Sequence, residues 1–194
     1  MDGDVRPQRL GGSVMFNAAI LGAMRKHGSR VSGYSAKSVI LDLADNWGGG
    51  LLSLGAVLFY SEGALISIGA ANSTTYATSE LGSYIKEHVF DTSLPLTGAA
   101  QYNAWFASSV TTNQRIIIVF DTLINFDQIK IHNTSNGGNN TDLGAKNVVV
   151  TISTDAITST VYGSAISNSA EIFNGVFDEH VASDVEDPQT LTLI

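Results

Sequence analysis

Carboxylate pairs, histidines and amide-rich loops are the groups in this chain able to do chemistry, and each type suggests a different kind. Asp121 and Asp127 stand between two apolar runs, as the acid and base of a glycosidase would. Acids beside a hairpin turn have the plainer use of closing it, and that use is favoured here. The four histidines, His27, His88, His132 and His180, are scattered, with no His-x-x-x-His pair and no nucleophile turn nearby. Asp91 has the oxygen chemistry of a calcium ligand, and equally that of a carboxylate accepting amides of its own turn. Asp178, Glu179, Asp184, Glu186 and Asp187 form an acidic stretch whose spacing fits no EF-hand register, so a solvated loop is expected. Gly48–Gly50 and Asn136–Asn140 lack the lysine and helix of a phosphate loop and read as turns. Catalysis is therefore not expected.

Binding has more to work with. Tyr102, Asn103 and Trp105 close one polar loop, and Asn136, Asn139 and Asn140 lie in another. Planar amides beside an aromatic ring are the groups that hold sugars. Trp105 has two roles open to it, a stacking platform or a core plug, and its setting between Ala104 and Phe106 favours the plug. Any ligand contact is expected on the loop edge from Asp91 to Asn103, with the loop from Asn133 to Asn140 beside it, and not on a sheet face.

The elements that must position these loops are strands. Ser38 to Leu43, Leu51 to Tyr60, Ala64 to Ile68, Ile116 to Phe120, Phe126 to Ile131 and Asn147 to Ser153 carry the apolar patterning of strands. Weaker ones are expected at Ser159 to Tyr162, Ile172 to Phe177 and Thr190 to Leu193. Glu62 and Gly63 predict a tight hairpin turn. The segment from Thr74 to Ile85 suits either a helical face or a loop. Nineteen glycines against three prolines agree with a loop-rich, antiparallel all-β sandwich in a chain of 194 residues, long enough for one substantial core. Two parts are expected: residues 1–37 as a basic arm with a short helix over Val14 to Met24, and residues 38–194 as the sandwich.

Charge divides the chain the same way. Residues 1–37 hold six basic and two acidic residues, net +4, and the remainder four basic and sixteen acidic, net −12. An acidic body repels phosphate backbones, which argues against nucleic acid as its partner. The apolar run Val14 to Met24 is too short to span a bilayer and is followed by Arg25, Lys26 and Arg30, so neither a membrane span nor a signal peptide is expected. The absence of cysteine excludes disulfides and thiolate sites and favours assembly in a reducing cytoplasm.

Several short motifs resemble the galactose-binding-like family, the discoidin or coagulation-factor type C jelly rolls found in phage virion and bacterial envelope proteins. Leu41 to Ile68 looks like its opening strand, glycine turn and second strand. Val89, Phe90 and Asp91 with the downstream Trp105 resemble its alanine-phenylalanine-aspartate loop and tryptophan. Gly144 to Val148, running on to Ser153 and Asp155, resembles its glycine-x-lysine-asparagine strand and serine-x-aspartate turn. The likeness covers about residues 38–193. Ala56 stands where an acid is common, and Thr92 follows Asp91 in place of glycine. The resemblance implies a jelly roll without enzymatic activity in a virion assembled in the host cytoplasm: a tail, baseplate or head-decorating protein. It would form a homo-oligomer, meet other virion proteins through its arm and touch host glycans through Tyr102, Asn103, Trp105, Asn136, Asn139 and Asn140. No cofactor is implied beyond a structural Ca2+ at Asp91. A surface or secreted bacterial carbohydrate-binding module and a glycan hydrolase domain are the alternatives.

Overall fold

Two antiparallel sheets face each other across the core, and the chain reaches both because β-formers alternate with turns throughout. The computed structural model describes residues 33–94, 104–134, 138–180, 188–191 and 193, which belong to the unit Val31–Ile194. The expected helix at Val14 to Met24 lies outside these residues. The strands are β1 (Tyr34–Leu43), β2 (Ser53–Leu54), β3 (Ala56–Ser61), β4 (Ala64–Leu65), β5 (Ser73–Ala77), β6 (Trp105–Phe106), β7 (Gln114–Phe126), β8 (Gln128–His132), β9 (Asn147–Ser153), β10 (Ser169–Val176) and β11 (Gln189–Thr190). One sheet runs β10-β9-β1-β7-β5, the other β11-β8-β3-β4, and β2 pairs with β6 alone. Val39, Leu41, Ile116, Ile118, Val150 and Ile152 from the first sheet meet Val57, Phe59, Ile129 and Ile131 from the second. Phe59 is the hub, with its ring 5.2 Å from Phe126, 5.9 Å from Phe120 and 6.2 Å from Phe90.

The expected strand over Asn147 to Ser153 is β9, and Glu62 and Gly63, both at positive φ, make the two-residue turn between β3 and β4. Elsewhere the boundaries move. β1 begins four residues earlier than expected, at Tyr34. The expected strand Leu51 to Tyr60 is broken at Gly55, where a Cβ would lie 2.3 Å from the His132 carbonyl oxygen. The ambiguous stretch from Thr74 becomes β5 followed by bends and a short 3-10 turn, Lys86–Val89. In place of the turn expected between Asp121 and Asp127, β7 runs on to Phe126: its ladder with β1 breaks at a bulge between Val119 and Ile124 and resumes from Ile124 to Phe126. The chain changes sheets at Asp127, whose carboxylate accepts the Glu62 N–H at 2.9 Å.

The expected strand from Ser159 to Tyr162 is instead part of a strap, residues 154–168, across the outer face of the five-stranded sheet. The Ser38 hydroxyl donates to the Asp155 carbonyl at 2.7 Å and accepts the Ile157 N–H at 2.9 Å. Thr78 donates to the Thr160 carbonyl at 2.8 Å. Arg115, only 1% exposed, forms a bidentate pair with Asp42, 2.7 Å on each arm, and its remaining N–H groups reach the Ser164 hydroxyl at 2.7 Å and carbonyl at 3.1 Å. Under this cover Ile40 and Ile117, which face away from the main core, are fully buried.

The strap's foot is pinned by Asp155, which accepts hydrogen bonds from the Ser167 hydroxyl at 2.6 Å and from the Asn168 amide. These bonds, Ser167's first, hold its carboxyl below the ordinary carboxylate value against a small opposing effect of burial. A carboxyl depressed on folding stabilises the fold above its unfolded pKa, and that contribution fades as pH falls through the folded one. Melting temperatures measured from pH 5 downward should therefore fall less steeply for Asp155→Asn than for the native chain. Parallel curves would remove Asp155 from the acid response.

Candidate functional site

Register gathers one set of loops at a single end of the sandwich. Leu43 pairs with Gln114 and with Val148, and Val176 with Asn147, so the segments after β1, before β7, before β9 and after β10 emerge together. There the Asn46 side chain organises the glycine turn, donating to the Gly49 and Leu51 carbonyls at 2.9 and 2.7 Å and accepting the Gly48 N–H at 3.0 Å. Gly48 takes φ +118°, open to glycine alone among common residues. The Gly49 N–H donates to the Asp142 carbonyl at 3.1 Å, and a Cβ there would lie 2.4 Å from Leu143. The turn is thus seated against the loop leading to β9.

That seating fixes Trp47. Its ring is half-buried, the Lys146 ammonium lies 4.7 Å from the ring centroid, and the indole N–H is buried without a partner among the described residues. Beside it, Asp45 accepts three hydrogen bonds from Asn147, its backbone N–H at 3.0 Å and its side-chain amide at 2.8 Å to each oxygen. Tyr162 completes the rim. Burial, then the Asp42 and Asp45 carboxylates, push its phenol above the ordinary value, with Arg115 opposing, so the hydroxyl stays protonated and able to donate. An aromatic ring, an ammonium, a phenol and exposed amides at one loop end can hold a polyhydroxylated ligand.

The residues expected at the site are described only in part. Trp105 leaves the contact set: it is fully buried, its indole N–H donates to the Ser79 carbonyl at 2.8 Å, and it presents no ring face to solvent. Asp91 accepts the Ser93 N–H at 2.9 Å and hydroxyl at 2.7 Å, the turn-closing geometry. Among the described residues no group of three or more His, Asp or Glu side chains is arranged to hold a metal. Asn139 and Asn140 are exposed, and Asn140 adopts the left-handed conformation before a 3-10 turn, Thr141–Leu143. Tyr102, Asn103 and Asn136 lie outside the described residues. Where described, the first loop is anchored at its start by Thr92 on Ile68 and at its end by Trp105 pairing with Leu54, and Asp142, two residues past Asn140, bonds Gly49. Of the acidic stretch, Glu179 accepts the Thr141 hydroxyl at 3.0 Å. His132 and His180 are buried, and His88 is half-buried on its 3-10 turn. None of the described helices is long and apolar enough to cross a membrane.

Compared with protein-family models, curated proteins and solved structures, the chain matches none. Trp47 is the residue that sequence reasoning passed over, because Asn46–Gly50 reads only as a turn. A tryptophan directly before three glycines was the available signal, since a glycine turn offers such a ring no buried seat of its own.

Proposed function

We propose that this chain is a non-enzymatic structural subunit of a phage or phage-like particle, a tail, baseplate or head-decorating protein of the galactose-binding-like jelly-roll type. Its Trp47 rim faces outward to host glycans. The observation that carries this reading is the polarity of the sandwich. β1 spans it end to end: Tyr34 pairs with Phe126 at one end, and Leu43 pairs with Gln114 beside the rim, roughly 30 Å away by strand rise. Gly33, where the described chain starts, therefore lies at the end opposite Trp47, alongside Glu62 and Asp127. A domain entered from one end and carrying its aromatic and amide groups at the other suits a subunit anchored on one side and presenting loops on the other. The two opposed antiparallel sheets are compatible with a jelly roll, and the particle setting rests on the sequence resemblance.

The test is a glycan array on the full chain and on Trp47→Ala, with particle incorporation measured in parallel. The native chain should bind a glycan class that Trp47→Ala loses, while both incorporate equally. Binding that survives Trp47→Ala would displace the rim as the contact. No glycan for the native chain, with normal incorporation, would leave a scaffold alone.

A further inference from the structure

The outer edge of β5 and the cleft beside it form, we propose, a docking site for an extended basic segment of another protein, separate from the Trp47 rim. β5 closes one side of the five-stranded sheet and, among the described residues, pairs only with β7. The Asp121 N–H donates to the Asn72 carbonyl at 2.9 Å and the Thr78 N–H to the Arg115 carbonyl at 3.0 Å, in the same register that pairs Thr74 with Val119 and Tyr76 with Ile117. Hydrogen-bonded pairs recur at every second residue of an antiparallel ladder, so Asn72, Thr74, Tyr76 and Thr78 spend their backbone groups on β7. Ser73, Thr75 and Ala77 aim theirs the other way, off the sheet. An edge of this kind is a template for a further strand, and β5 has none of the charge or proline that guards such edges.

The cleft supplies the side-chain pocket that strand addition uses for selectivity. It measures about 300 Å³ and is lined by Ile68, Ser73, Thr75, Glu87, Phe90 and Asp91 among others, with no cationic residue among its lining. Thr75, only 7% exposed, contributes to the cleft wall. Asp91, also in the lining, commits Oδ1 to Ser93. Glu87 pairs with Lys86 at 3.0 Å on its solvent side. Phe90 is 1% exposed and offers no ring face, so a sugar has nothing to stack on. A narrow cleft floored by Ile68 and Phe90 and edged by carboxylates and hydroxyls suits the methylene stem and charged head of lysine or arginine. The occupant that satisfies both halves of the site is an extended segment with a basic residue at alternate positions.

A capped heptapeptide alternating lysine and threonine tests this on the full chain, with its glutamate counterpart as control. Calorimetry at low salt should show the lysine peptide binding and the glutamate peptide not. Amide shifts in NMR spectra should centre on Ser73, Thr75 and Ala77, and binding should weaken as salt rises from about 20 to about 200 mM. Asp91→Asn should weaken binding about tenfold, the loss expected for one hydrogen bond to a charged group. If that variant does not fold, Glu87→Gln, an exposed change, should lower affinity in the same direction. Equal binding of the two peptides, shifts centred on the Trp47 rim, or charge-neutralised variants that bind like the native chain would overturn the proposal.

Discussion

Arg115→Ala should lower the stability of the domain by about 3–5 kcal/mol, because it strands the Asp42 carboxylate in a buried site. For a domain of this size that corresponds to a fall in melting temperature of roughly 6–20 °C. Asp42 is itself only 12% exposed on its side chain, so water cannot replace the lost guanidinium without prising the strap away. Proteolysis should then begin within residues 154–168. Most of the loss comes from the unpaired charge and not from the missing attraction. A double variant, Asp42→Leu with Arg115→Met, should therefore melt closer to the native chain than either single variant does. If Arg115→Ala melts within a degree or two of the native protein, the pair holds nothing in place.

Trp105→Ala should cost about 3–5 kcal/mol, the range for a large aromatic removed from a packed interior. Trp105→Phe isolates a smaller part, since the ring volume is largely kept while the Ser79 carbonyl loses its donor, and about 1–3 kcal/mol is expected. Chemical denaturation of the two variants separates packing from hydrogen bonding. Near-native stability of the alanine variant would place the indole outside the core after all.

Strands were legible where one face is wet. β9 shows the alternation directly, and the β3–β4 hairpin follows from a Glu-Gly turn that positive φ requires. The extent of β7 was hidden because β5 covers it only as far as Phe120. Beyond that point Asp121, Thr122 and Asn125 are exposed and polar and the ladder with β1 bulges, which reads as a turn although pairing resumes from Ile124 to Phe126. The strap was hidden for the opposite reason. Val161 and Tyr162 are β-formers, yet what holds this segment is Arg115 and Ser38, far away in sequence, and no local pattern encodes such a partner. At the candidate site, amide-rich loops were visible, but the aromatic that accompanies them was not. Trp105 stands out among small residues and is interior. Trp47 looks like part of a turn and owes its place to Asp142, Leu143 and Lys146, almost a hundred residues on.

The strap also orders events in time. Its anchor joins Asp42 to Arg115 across 73 positions and Arg115 to Ser164 across 49, so its seat exists only after β1 and β7 have paired. Closing it therefore follows the pairing of those strands. Interactions absent from a folding transition state act on escape from the native basin and hardly on entry to it. The Arg115–Ser164 bonds that seat the strap are in this sense a latch. Such a latch should leave the speed of folding nearly untouched and set how long the finished domain persists.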